Sequence, residues 1–153
     1  MTDSPVEGAF KQTLQQIADR ILAGTQGDIS LVCVRLDNGI YRIEAFAGDF
    51  PAEHLLALDF RAGEGGTGGM VAQTGKPRLI NDYLKELADS PFIETGKKVG
   101  VRSIINAACG PAGDVIAVLY VMSRTPDVFG EIDKNILAAQ ADIADITIRN
   151  AMS

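Results

Sequence analysis

The chain has 153 residues, of which 14 are Lys or Arg and 20 are Asp or Glu, giving a formal charge of −6. This length suits one domain with a core of its own, and the acidic balance argues against binding nucleic acid or an anionic membrane through a broad basic face. One His and two Cys exclude a His-rich metal site, a four-thiolate zinc site and a disulfide framework.

The ends and the apolar runs of the chain predict a soluble, cytoplasmic protein. Residues 1–7 are polar and lack the apolar stretch of a secretory signal. The longest apolar run, 115–122, has the length of a strand and is too short to span a bilayer. Cys33 and Cys109 both lie in apolar runs, which favours two reduced, buried thiols over a redox pair.

The first predicted elements are a helix and a β-hairpin. Apolar residues in the range 6–21 recur at spacings of four and three, which predicts one buried face on a helix that ends near Gly24. Strands are predicted at 31–36 and 40–46, because Asn38-Gly39 between them is the strongest short hairpin signal.

A glycine-rich loop at 63–69 follows. Its Gly63, Gly65 and Gly68 form a G-x-G-x-x-G pattern, which indicates a dinucleotide site only inside a βαβ unit. The surrounding hairpins favour a turn-and-packing role instead. Four neighbouring features are predicted by local signals: a helical turn at 51–58, a short helix at 67–74, a short strand at 79–80, and a mixed helix and loop segment at 83–98 that Pro91 interrupts.

The last third of the chain predicts two strands and a long helix. The strands, 101–109 and 115–123, are joined by a hairpin loop, and the second is apolar on both faces, as a central strand is. The helix at 131–152 carries two apolar rows, so one row can pack on the domain while the other, small-residue row faces the first helix or a second subunit. The rows are Ile132, Ile136, Ala139, Ile143 and Ile146, and Leu137, Ala141, Ala144, Ile148 and Ala151.

These elements predict an α+β fold. A central antiparallel sheet of five to six strands carries the N- and C-terminal helices on one face, while loops and short helices cover a pocket on the other. A sheet covered by irregular segments leaves a concavity where a small ligand can bind.

Seven residues are candidate ligand contacts in that pocket. Asn106 and Tyr120 lie within apolar strands, where a buried amide or phenol needs a partner, so a cavity-facing position and a position at the edge of the strand both remain open. For Arg102 a salt bridge to the loop is favoured. A lone His such as His54 is more often a surface or packing residue than a base or a haem ligand. The candidates are Met70, Asn81, Tyr83, Phe92, Arg102, Asn106 and Tyr120.

The chain resembles the GAF domain family, the PAS-like sensory domains, from about residue 10 to residue 151. The motifs that carry the resemblance are 63–72, Thr74-Gly75-Lys76-Pro77, Ile80-Asn81-Asp82, Val101-Arg102-Ser103 and 129–133. The resemblance implies a single domain over 1–153 that binds a small molecule, catalyses no reaction and signals through its terminal helices. It also implies a homodimer through these helices and a covalently linked effector domain of a signal-transduction or transcription-regulatory protein.

The motifs that distinguish subfamilies leave alternatives open. The Asn-Lys and Phe-Asp-Glu signature of cyclic-nucleotide members is absent, and neither Cys33 nor Cys109 is followed by the His common in bilin-binding members. Free methionine sulfoxide reductases use a cluster of cysteines in the irregular middle, which this chain lacks. The alternatives are a dimerisation or interaction module without a ligand and, less favoured, a haem sensor based on His54 or a reductase-like enzyme. No catalytic residue, metal or cofactor is assigned.

Overall fold

A computed structural model describes residues 5–51, 58–64 and 66–152. His54 and most of the predicted turn at 51–58 lie outside the described residues. The helices are α1 (Pro5–Ala23), α2 (Thr67–Thr74), α3 (Tyr83–Glu86), α4 (Ile93–Val99) and α5 (Glu131–Met152), and the strands are β1 (Ile29–Arg35), β2 (Tyr41–Gly48), β3 (Arg78–Ile80), β4 (Ser103–Cys109) and β5 (Ala117–Ser123).

The described strands form one sheet in the order β2-β1-β5-β4-β3. Every neighbouring pair is antiparallel, which confirms the predicted α+β class and excludes a βαβ unit around the glycine-rich loop. β5 lies at the centre, as its continuous apolar run predicted, because both of its faces are covered.

A β-bulge in the first hairpin changes the side of the sheet to which the side chains of β2 point. In the sequence of β2, Tyr41, Ile43 and Ala45 alternate with Arg42 and Glu44, a pattern that in a regular strand places all three on one face. The register between β1 and β2 shifts between Val32 and Cys33. Such a shift moves the following side chains to the opposite face, so Ala45 packs in the core below the sheet while Tyr41 and Ile43 pack above it.

The terminal helices pack side by side on one face of the sheet, as predicted. Ser30, fully buried on β1, donates a 2.7 Å hydrogen bond to the Ala18 carbonyl and fixes α1 to the sheet. The opposite face is covered by α2, α3, α4 and the segments between them, which we call the cover. None of the described helices is both long enough and apolar enough to cross a membrane.

Of the two apolar rows of α5, the one that packs inward is the row expected to face α1 or a second subunit, and it contacts both the sheet and α1. The small-residue row packs on the domain, with Leu137, Ala141, Ala144 and Ile148 all buried. The isoleucine row faces outward, and Ile132 and Ile146 are 74% and 63% exposed. The reason is steric, since the two alanines let α5 approach the sheet and α1 more closely than a row of isoleucines would.

Candidate functional site

A cavity of about 60 Å³ lies between the sheet and the cover. Its floor is formed by the upward side chains of β1, β4 and β5, including Cys33, Ile104 and Tyr120. Its roof is formed by α2, α3 and α4, with Tyr83 and Phe92 in the wall. No charged side chain lines it among the described residues.

Aromatic rings make one wall of the cavity rigid. Phe60 stacks on Tyr41 with the ring centroids 5.2 Å apart and 7° between the planes. Phe60 also meets Tyr120 edge to face at 6.4 Å, a favoured arrangement of aromatic quadrupoles. The Tyr41 hydroxyl donates a 2.6 Å hydrogen bond to the Val115 carbonyl, so this ring cannot turn freely.

Glycines bring the backbone of the cover against the tyrosines. A Cβ at Gly68 would collide with the phenol oxygen of Tyr120 and would lie 2.8 Å from Phe60. A Cβ at Gly96 would collide with the ring of Tyr83. Gly68 and Gly96 therefore allow the cover to pack closely on the aromatic side chains.

The phenols of the cavity are held in their neutral form. Burial is the main cause that raises the pKa of Tyr120 well above its ordinary value, and Cys33 and Tyr83 add to the effect. Burial also raises the pKa of Tyr83, although a hydrogen bond with Ser90 opposes this shift. Both hydroxyls can thus act as donors and acceptors to an uncharged ligand at neutral pH.

Asn106 is fully buried beneath α2, beside the cavity. The Thr67 hydroxyl donates a 2.6 Å hydrogen bond to the Asn106 Oδ1 atom, while Asn106 Nδ2 has no partner among the described residues. The cross-strand neighbour of Asn106 is Tyr120. Asn106 takes neither of the two positions left open by the sequence, because it is buried and so not at the edge of the strand, yet it does not line the cavity; it supports the roof through Thr67.

The seven sequence-predicted contacts are only partly brought together. Tyr83, Phe92 and Tyr120 line the cavity, and Asn106 lies behind it. Three others lie outside the described lining: Met70, which is 42% exposed; Asn81, which is exposed; and Arg102, which pairs with Asp82. Four kinds of cavity residue were not predicted from the sequence: Cys33, Thr67, Thr95 and the glycines of the roof. The sequence did show that the roof segment around 63–69 is unusually rich in glycine.

Arg102 forms the salt bridge to the loop that its sequence context favoured. Its Nη2 lies 3.0 Å from one carboxylate oxygen of Asp82, and its Nε donates to the other at 3.3 Å. The hydrogen bond with Arg102 lowers the pKa of Asp82. This pair joins the end of β3 to the start of β4 and so anchors the first residue of α3, Tyr83, whose backbone N–H donates to the Arg102 carbonyl.

The two cysteines are buried, unpaired thiols, as predicted, and they lie on opposite faces of the sheet. Cys33 is on β1 and Cys109 on β4, with β5 between them, so two strand spacings of about 4.8 Å separate them. A disulfide needs Cα atoms within about 7 Å and side chains that point together. Burial raises the pKa of both thiols, which keeps them protonated and unreactive at neutral pH.

Stability is expected to fall at alkaline pH because of these buried groups. The thiols ordinarily titrate near 9.0 and Tyr120 near 10.0, and burial raises each pKa in the folded state. Each group contributes fully to the stability of the fold below the pKa that it has in the unfolded chain. This contribution is lost as the pH rises above that value, by at most about 1.4 kcal/mol per pH unit for each group.

Denaturant unfolding at pH 7.5 and pH 10 measures this loss. The wild type should lose more stability between the two pH values than a Cys33→Ala, Cys109→Ala double variant, whose remaining contribution comes from the tyrosines. An equal loss in both proteins would contradict the assignment to the thiols.

The described residues contain no group of three or more His, Cys, Asp or Glu side chains that could hold a metal ion. Among the described residues, the polar side chains in or beside the cavity are hydroxyls, a protonated thiol and the amide of Asn106, and this arrangement can bind and orient a neutral molecule.

Comparison with known proteins identifies the family. The sequence model of the GAF domain matches residues 8–149. A GAF domain of a phosphoenolpyruvate-protein phosphotransferase from Coxiella burnetii is similar in structure, with a TM-score of 0.77, 19% identity and 94% of this chain and 84% of that chain covered. No characterised protein sequence gives a significant match.

Two further solved structures have the same fold. The GAF domain region of a putative membrane protein from Geobacter sulfurreducens gives a TM-score of 0.75 at 17% identity and covers 94% of this chain and 95% of that one. A type II free methionine-R-sulfoxide reductase from Thermoplasma acidophilum gives 0.72 at 17% identity, with 95% and 96% covered. Domains of this kind are typically sensory or regulatory parts of signalling proteins. Since the family model spans nearly the whole chain and the fold agrees, the chain belongs to the GAF domain family.

Proposed function

We propose that this domain is a non-catalytic, cytoplasmic sensor that binds a small uncharged molecule in the cavity between sheet and cover, and that it self-associates through α5 within a signalling protein. The observation that carries the proposal is the cavity itself, which is apolar in most of its lining and has hydroxyl groups at a few points.

The absence of charged groups in the described lining selects a neutral ligand. An ion taken from water into such a cavity loses its hydration and gains no counter-ion, which costs far more than a neutral group loses. The hydroxyls of Tyr83, Tyr120, Ser90 and Thr95 give a neutral ligand hydrogen bonds that fix its orientation.

The volume of the cavity couples binding to movement of the cover. A cavity of about 150 Å³ admits benzene, whereas this one has about 60 Å³. For a molecule of roughly four non-hydrogen atoms, the most favourable binding free energy is about −1.5 kcal/mol per atom. This corresponds to a dissociation constant of roughly 40 µM. A ligand that binds more tightly must be larger and must push the cover outward, so its occupancy would be transmitted to the surrounding structure.

The buried thiols support a role without catalysis. The fold is shared with a free methionine sulfoxide reductase, but in this chain the two cysteines lie on opposite faces of the sheet and are held protonated. A dithiol mechanism needs one accessible thiolate and a second thiol near it.

A thermal-shift series with neutral and charged probes tests the ligand proposal. Indole and phenol should raise the melting temperature, while indole-3-acetate and benzoate at the same concentrations should not. The substitution Cys33→Leu adds side-chain atoms to the cavity lining and should abolish the shift.

The matched control is Cys109→Leu, on the other face of the sheet. It should cost about 1–3 kcal/mol by overpacking and leave the probe-induced shift intact. A shift that survives Cys33→Leu, or a shift from the charged probes alone, would overturn the proposed site.

A further inference from the structure

The three helices of the cover are joined to the rest of the domain by different hydrogen bonds. Thr67 joins α2 to β4 through its 2.6 Å hydrogen bond. The Tyr83 N–H joins α3 to the sheet by a 2.6 Å hydrogen bond to the residue just before β4. Among the described residues, the one hydrogen bond that joins α4 to a residue outside 90–101 runs from Arg124 Nε to the Val99 carbonyl, at 3.1 Å. The polar attachment of α4 therefore depends on a single side chain.

Arg124 follows β5 and reaches from the sheet to two walls of the cavity. Its backbone N–H donates a 2.8 Å hydrogen bond to Asp28 Oδ2, which fixes the base of the side chain beside the start of β1. Its guanidinium donates to the Val99 carbonyl and, from Nη2 at 2.8 Å, to the Asp49 carbonyl after β2. Val99 lines the cavity, and so does Phe50, the residue that follows Asp49. Arg124 therefore connects the roof at α4 with the wall at Phe50.

An arginine suits this position because both acceptors are backbone carbonyls. Val99 is the last residue of α4, so its carbonyl has no acceptor role inside the helix. A guanidinium holds several N–H donors in a rigid fork, which lets one side chain serve two carbonyls at once. The Asp49 carboxylate lies 3.8 Å from Arg124 Nη2 and is 94% exposed, so this ion pair adds little to the two hydrogen bonds.

We infer that Arg124 sets the size of the ligand that the cavity accepts, because it holds α4 closed over the cavity. The inference rests on the proposed function, in which a ligand too large for the cavity of about 60 Å³ pushes the cover outward. Such a ligand binds only an open form, in which α4 has moved away and the Arg124 hydrogen bonds are broken. The apparent affinity for that ligand falls with the fraction of protein in the open form. A molecule that fits the closed cavity is not affected.

The variant Arg124→Met should bind indole about tenfold more tightly than the wild type, because binding no longer breaks the two hydrogen bonds. Calorimetric titration measures this change. In the free protein, hydrogen exchange at the Gly100 and Val101 amides, which close the end of α4, should accelerate by the same factor. The melting temperature of the free protein should fall. A residue with only a structural role would lower the melting temperature without tightening the binding of indole.

Two matched variants and one small probe complete the experiment. Asp49→Asn removes the exposed ion pair but keeps the backbone carbonyl that Arg124 uses, so it should behave like the wild type. Arg124→Lys keeps the charge without the fork and should show smaller changes of the same sign; it carries the test if Arg124→Met does not fold. The affinity for 2-propanol, which is small enough for the closed cavity, should be the same in all four proteins.

The possible failures are distinguishable. Unchanged or weaker binding of indole by folded Arg124→Met would overturn the inference and leave the proposed function intact. Equal tightening for indole and 2-propanol would also overturn it, because Arg124 would then not select by size. Exchange at Gly100 and Val101 that does not accelerate would show that Arg124 does not hold α4. No binding of indole by any of the four proteins would overturn both the inference and the proposed function.

Discussion

Replacing Ile148 with Ala is expected to lower the free energy of unfolding by about 2–5 kcal/mol. Ile148 is fully buried on the inner face of α5, where it contributes to the core between the helices and the sheet. Its truncation leaves a cavity that the sheet cannot collapse to fill. Urea unfolding followed by circular dichroism measures the change, which is a large fraction of the stability of a domain of this size.

The matched control is Ile146→Ala, two residues earlier on the same helix. Ile146 is 63% exposed, so in dilute, monomeric protein this substitution should change stability by less than about 0.5 kcal/mol. At high concentration it should weaken self-association, which Ile148→Ala should do only through unfolding. Equal losses of stability in the two variants would contradict the assignment of the inner and outer faces of α5.

Replacing Gly69 with Ala is expected to destabilise the fold by about 3 kcal/mol, through overpacking at the start of α2. The added Cβ would collide with the carbonyl oxygen of Glu64 and would lie 3.0 Å from that of Arg61. These are backbone atoms and cannot move alone, because the Gly63 N–H donates a 2.8 Å hydrogen bond to the Gly69 carbonyl and closes the loop.

Gly8→Ala is the control for Gly69→Ala. Gly8 is also helical, but a Cβ there would meet no atom within 4 Å, so the change should stabilise α1 by up to about 1 kcal/mol through helix propensity. Thermal unfolding of both variants measures the difference. A Gly69→Ala variant as stable as the wild type would mean that the loop packs otherwise than described.

The elements with a clear hydrophobic period were predictable from the sequence, whereas the face that each element buries was not. The bounds of α5 and α2, and the central place of β5, agree with the predictions. The choice between the two rows of α5 depends on how closely the helix approaches the sheet and α1, a distance that periodicity does not encode. The bulge that turns Ala45 to the lower core is likewise a property of strand pairing and not of β2 alone.

The candidate site was predictable where a polar or aromatic residue interrupts a local pattern. Tyr120 lies within an apolar strand, and it lines the cavity together with Tyr83 and Phe92. Cys33 and Thr67 carried no such signal, because a small residue in an apolar strand or at a helix start has an ordinary local explanation. Their place in the cavity depends on how the cover folds over the sheet.

The most direct test of the ligand site is the location of the chemical-shift changes when indole is titrated into ¹⁵N-labelled protein. We expect the largest changes on the amides of 66–69, Gly96 and Tyr120, all at the cavity, and no change on α1 or on the outer face of α5. Changes confined to the outer groove at Phe10 and Met152, or none up to the solubility limit of indole, would contradict it.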